Sequence, residues 1–187
     1  MVVKELSLHI LDLVQNSIKA EATEVRIEII EDLTADKMKI LIIDNGQGIS
    51  EEFLEDVLDP FTTTRTTRKV GLGLPLFQAA AEQCNGELNI SSTEGKGTTV
   101  EATFQHSHID RVPLGDIVGT IVTIIQGNPD LDLYYRHVID NEEFSFVTSD
   151  LRDRLQGVPL NKPEVIKFIK EYLSENIEKI KKTEELK

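Results

Sequence analysis

Four short segments, in a fixed order within the first hundred residues, constrain the fold of this chain more than any other feature. They are residues 12–16 (Asp-Leu-Val-Gln-Asn), 44–48 (Asp-Asn-Gly-Gln-Gly), 71–74 (Gly-Leu-Gly-Leu) and 95–98 (Gly-Lys-Gly-Thr). Any one of them recurs by chance, but their order and the patterns between them limit one another. The first lies in helical periodicity, the second at the end of a strand-like run, the third at a helix start and the fourth in a turn between strands.

Residues 4–20 carry Leu6, Ile10, Leu13 and Ser17 at helical spacing. The 100° step per residue puts His9, Asp12 and Asn16 on one face, which is polar. Alternating, β-branched runs at 24–30 and 38–43 flank a polar turn region, which predicts an antiparallel pair whose second strand delivers Asp44 at its end. A short acidic helix over 50–58 is expected next, followed by a Thr-rich, basic loop up to Val70. Pro75 suits the first turn of a helix that runs toward the stop signal Asn85-Gly86. Strands over 87–92 and 98–104 meet in the tight 94–97 turn. Beyond Gln105 the strand-like runs 117–125, 131–139 and 144–148 predict a meander, and a final helix starts near Pro163. The division expected is a domain over 1–106 that holds the four segments and a strand-and-helix extension over 107–187.

The hydrophobic (40%) and charged (28%) fractions of the 187 residues are those of a chain able to bury a substantial core. No apolar run approaches the roughly 20 residues needed to cross a bilayer, and the N-terminus has no signal-peptide core, so a cytoplasmic address without a membrane partner is expected. The single cysteine, Cys84, excludes an internal disulfide and reads as a small packing residue. A formal net charge of -13 argues against nucleic acid as a partner. Against that acidic background, residues 60–81 contain Arg65, Arg68 and Lys69 and no acid, a local positive patch suited to a polyphosphate.

The chemistry of the four segments is consistent with that patch. Asp44, followed by Gly46 and Gly48, offers an acceptor at the floor of a pocket where a flat ring can approach the backbone, and an adenine amino group fits it; taken alone, Asp-Asn-Gly is ordinary turn chemistry. Asn16 offers an oxygen from mid-helix, where it has no propensity reason to be, and could complete a magnesium shell; a solvated Asn is the plain alternative. Asp12, one turn earlier, could orient or deprotonate a water attacking a γ-phosphate, or be a helix-surface acid. Gly71 and Gly73 open a helix whose N-terminus can receive phosphate oxygens, or form a hinge. Thr98 and Thr99 could reach the base or its water. His106 and His108 are expected to be solvent-exposed at a strand end, without the further ligands a metal needs.

Over residues 5–104 the chain resembles the GHKL superfamily of Bergerat-fold ATP-binding proteins. Residues 12–16 resemble its N box, 44–48 its first glycine box, 59–61 (Asp-Pro-Phe) its F box, 71–73 its second and 95–98 its third glycine box. The resemblance implies an α+β, two-layer sandwich with ATP between helices under a lid at 62–73. It implies Asn16 on magnesium, Asp44 on adenine, and contacts to the nucleotide from Phe61, Thr62, Thr63, Thr64, Arg65, Lys69, Gly71, Leu72, Gly73 and Leu74. The short lid looks closest to the histidine-kinase and anti-sigma-kinase branch.

Hydrolysing members usually place Glu where this chain has the shorter Asp12, which points to phosphotransfer or slow turnover. A histidine kinase also carries an upstream hairpin with a phosphoacceptor His, so a complete sensor kinase is not expected of a chain that begins at the N box. The tail resembles stand-alone ATP-binding proteins of bacterial iron-hydrogenase gene clusters. The function expected is therefore magnesium- and ATP-dependent phosphotransfer to an unidentified protein partner, or slow hydrolysis. The rival is a non-catalytic switch in which ATP orders the lid and changes how the tail engages its partner.

Overall fold

The computed structural model describes residues 5–52, 54 and 73–185. In chain order the elements are α1 (Leu6–Lys19), β1 (Glu24–Asp32), β2 (Lys37–Asp44), α2 (Gly73–Glu82), β3 (Leu88–Thr93), β4 (Gly97–Gln105), α3 (Ile117–Gly127), β5 (Asp132–Ile139), β6 (Glu142–Val147), α4 (Thr148–Leu155) and α5 (Pro163–Glu185). The expected site residues Phe61, Thr62, Thr63, Thr64, Arg65, Lys69, Gly71 and Leu72 lie outside the described residues, as does most of the expected acidic helix, of which Glu51, Glu52 and Leu54 are helical.

Alternation builds the sheet. Val25, Ile27 and Ile29 of β1, Met38, Ile40 and Ile42 of β2, and Val100, Ala102 and Phe104 of β4 are all buried, while their neighbours in sequence face the more open side. Six strands pair in the order β3-β4-β2-β1-β5-β6. The β1–β2, β2–β4 and β3–β4 pairs are antiparallel. The helices α1, α2 and α5 pack against the sheet, and α3 packs between α1 and α5. Cys84 is buried and free, in the packing role expected of it.

The extension continues this sheet. Its β5 pairs in parallel with β1, Val25 opposite Leu133 and Ile29 opposite His137, and β6 returns antiparallel to β5 across the two-residue turn Asp140-Asn141. The strand expected over 117–125 is instead the helix α3. Its β-branched composition favours a strand by propensity, but its buried positions, Ile117, Thr120, Ile121, Ile124 and Ile125, repeat with helical period, and Asp116 caps it by accepting the Gly119 N–H at 2.7 Å. Period and cap outweigh propensity here. The third strand-like run ends at Val147, and Thr148 opens α4, whose hydroxyl accepts the Leu133 N–H at 2.8 Å.

The histidines also differ from expectation. His106 is half-buried, with Nε2 2.8 Å from Glu31 Oε2. The other carboxylate oxygen lies 2.7 Å from Nε2 of the fully buried His137, whose Nδ1 is 3.0 Å from the Tyr135 hydroxyl. Burial by itself would raise the Glu31 pKa, but hydrogen bonds from His137 and His106 outweigh it and hold the group at about 2. This cluster joins β1, the segment after β4, and β5.

Candidate nucleotide site

Strand β2 ends at Asp44, whose side chain follows Met38, Ile40 and Ile42 on the helix-covered face. Three protein donors converge on the carboxylate. Oδ1 accepts the N–H of Gly46 at 2.9 Å and of Thr98 at 3.2 Å, and Oδ2 accepts the Ser17 hydroxyl at 2.6 Å. The β2–β4 register sets Asp44 directly opposite Thr98. Gly97, just before Thr98, has φ +105 and sits so close to the Asp44 carbonyl that a Cβ would collide with it. The turn after β2 is tied to the turn between β3 and β4 by the Gly95 N–H on the Gln47 carbonyl, 2.7 Å, and Asn45 Oδ1 accepts the N–H groups of Thr23 and Glu24, both at 2.9 Å. First and third glycine segments thus form one floor.

Asp12 and Asn16 lie one turn apart on α1 and are half-buried. His9, expected on the same polar face, is buried: its ring stacks on Phe77 with centroids 5.0 Å apart, and burial lowers its pKa against a raising effect of Asp12. An imidazole can present one flat apolar face to a neighbouring ring, so its place in a helical polar stripe does not settle its exposure. Gly73 opens α2 against the Asp12 carboxylate, where a Cβ would overlap it. Leu74 is buried beneath this junction. Asp12 and the start of α2 therefore meet.

Among the expected residues, the fold brings Asp44, Gly46, Gly48 and Thr98 to the floor and Asp12, Asn16, Gly73 and Leu74 to the adjoining helices. Thr99 alternates to the open face, between Ile43 and Ser91, which takes it off the floor. Two serines escaped the sequence reading. Ser17 sits on the apolar stripe of α1 yet is 5% exposed, and a buried hydroxyl in such a stripe is itself the signal of a polar partner. Ser92 accepts the Ile49 N–H at 2.8 Å and contacts the Gly97 carbonyl at 2.8 Å and Thr98 Oγ1 at 2.9 Å; its place in β3 gave no such cue.

The donor set suits a hard cation in one respect: Asn16 and Asp12 supply oxygen, the ligand atom magnesium prefers. Among the described residues, no three His, Cys, Asp or Glu side chains form a metal cluster.

Residues 1–108 match the family described as histidine kinase-, DNA gyrase B-, and HSP90-like ATPase. The "Non-motile and phage-resistance protein" of Caulobacter vibrioides is 35% identical over 118 residues, 58% of this chain and 14% of that protein. "Sensor histidine kinase ZraS" of Escherichia coli K12 is 32% identical over 90 residues, 48% of this chain and 19% of that one. The chain thus spans less than a fifth of the length of either relative. Among solved structures, the Aquifex aeolicus MutL ATPase domain complexed with ADP aligns at a TM-score of 0.47 and 18% identity, over 83% of this chain and 68% of that one.

Proposed function

Because the chain belongs, through residues 1–108, to the histidine kinase-, DNA gyrase B- and HSP90-like ATPase family, we propose that it binds Mg-ATP and uses it for phosphotransfer to a partner protein or for slow hydrolysis. The observation that carries this reading is the convergence at Asp44. A carboxylate held by three protein donors at a strand end keeps one acceptor position on Oδ2 for an exocyclic amine. Adenine rests there, and the phosphates run toward Asn16 and the start of α2. Asn16 would hold magnesium, which would supply charge neutralisation on the phosphates. Asp12 takes the proton from the attacking water or acceptor group as the bond to the γ-phosphorus forms and ADP leaves. Its carboxylate lies against Gly73, beside the helix end that meets the phosphates. With a net charge of -13 and no helix among the described residues long and apolar enough to cross a membrane, a cytoplasmic protein partner fits this reading better than nucleic acid or a bilayer.

Calorimetry with and without magnesium, on wild type and Asn16→Ala, tests binding. Phosphate release and radiolabel transfer on wild type and Asp12→Ala test turnover. Absence of binding sinks the proposal; binding without any turnover, or turnover indifferent to Asp12→Ala, removes its catalytic half.

One contact favours the switch as a second reading. The first amides of α1 bond to the carbonyls ahead of α3, Leu6 N–H to Pro113 at 3.0 Å and Ser7 N–H to Leu114 at 2.8 Å, so the extension is tied to the helix that carries Asn16. Amide exchange over residues 107–187 that changes when ATP binds Asp12→Ala supports it, and unchanged exchange counts against it.

A further inference from the structure

The hydrogen bonds around Asp44 and Thr98 have a direction that follows from which atoms can donate. Backbone N–H groups only donate and carbonyl oxygens only accept. Asp44 Oδ1 takes two N–H groups, and the single proton of Ser17, whose Oγ lies 2.6 Å from Oδ2 and 3.3 Å from the Leu13 carbonyl, goes to the nearer, charged acceptor. Ser92 Oγ accepts the Ile49 N–H, so its own proton must serve the Gly97 carbonyl at 2.8 Å, which would otherwise face an oxygen with no hydrogen between them. The remaining contact, 2.9 Å to Thr98 Oγ1, is then donated by Thr98. Thr98 is left with lone pairs only, next to Asp44 on the same face of the sheet.

From this wiring we propose that Ser17 and Ser92 are positioning residues that make the base floor accept and never donate, and so select a 6-amino purine over a 6-oxo purine. The inference rests on the nucleotide reading above. An amino group brings two N–H donors to the free lone pairs of Asp44 and Thr98. A 6-oxo group brings a carbonyl oxygen against a carboxylate and finds no hydroxyl proton, because those of Ser17, Ser92 and Thr98 are all committed elsewhere. Loss of Ser17 leaves Asp44 with one donor fewer and free to turn. Loss of Ser92 releases the Thr98 proton, which can then meet a carbonyl.

The test is calorimetric binding of three magnesium nucleotides, ATP, purine riboside triphosphate lacking the 6-substituent, and inosine triphosphate, to wild type, Ser17→Ala, Ser17→Thr and Ser92→Ala. Wild type should favour ATP over inosine triphosphate by about 100-fold or more, as sites built on hydrogen bonds do. Ser17→Ala should weaken ATP about tenfold while leaving purine riboside triphosphate within about threefold, and Ser17→Thr, which keeps the hydroxyl, should restore ATP. Ser92→Ala should narrow the gap between ATP and inosine triphosphate about tenfold. A merely structural role would weaken all three nucleotides alike and would not be rescued by the hydroxyl of Thr. If wild type discriminates and both alanine variants keep its ratios, the inference about the serines is overturned and the nucleotide reading stands. If wild type binds none of the three, the nucleotide reading itself falls.

Discussion

Gly97 shows how a single residue holds the site together. Its φ of +105 is open to glycine, and its missing Cβ is the space occupied by the Asp44 carbonyl, so glycine at this position lets the third glycine segment close on the end of β2. Gly97→Ala should cost about 2–4 kcal/mol in denaturant unfolding and abolish nucleotide binding, since the strain falls on Asp44 itself. Gly95, at φ +76 with open space around it, is the control: alanine there carries the strain without the collision and should cost less.

Glu31 acts at the same scale on the far end of β1. Its folded pKa of about 2 lies below the ordinary 4.5, so the stabilisation is full above about pH 4.5 and is lost as pH falls through 2. A gap of that size is worth roughly 3 kcal/mol. Melting temperatures of wild type and Glu31→Gln should therefore converge between pH 5 and 2, with wild type the more stable at neutral pH, where glutamine offers one oxygen acceptor to two histidines.

Among the elements, α3 is joined to the helix that carries Asp12 and Asn16. It packs on α1 and α5, and its Thr120 hydroxyl bonds the Ser7 carbonyl at 3.4 Å. Ile121 is fully buried. Ile121→Ala should destabilise by about 2–5 kcal/mol, the range for a large-to-small change in a packed core, with ATP affinity lost only in proportion to the unfolded fraction. Direct loss of affinity at full folding would show that α3 sets the position of Asn16. The α1 helix depends on its neighbours at its N-terminus too: Glu5 makes no side-chain cap, and the carbonyls of Pro113 and Leu114 satisfy its first amides.

For the molecule as a whole, one hydrophobic core runs from Leu6 to Ile180 and takes in residues from both sides of Gln105. A chain ending at residue 106 would bare the edge of β1 and the faces of α1 that α3 covers, so it should show no cooperative unfolding transition or should aggregate, whereas the full chain should melt as one unit. The elements α1, β1, β2, β3 and β4 and the arrival of Asp44 at a strand end were legible in the sequence, because each rests on local periodicity or on the chemistry of one turn. The stretch that forms α3 was read as a strand from its β-branched composition, although the helical spacing of its buried positions and the Asp116 cap favour a helix. Thr99 faces away from the Asp44 floor and His9 is buried on Phe77 because strand alternation and ring stacking, which a motif does not encode, decide which way a side chain faces. What the tertiary structure alone decided is the parallel pairing of β5 with β1, the Glu31 cluster, and the bonds that join Ser17 to Asp44 and Ser92 to Thr98. Each pairs groups held together by the closed sheet, and such contacts leave no local pattern in the sequence to read.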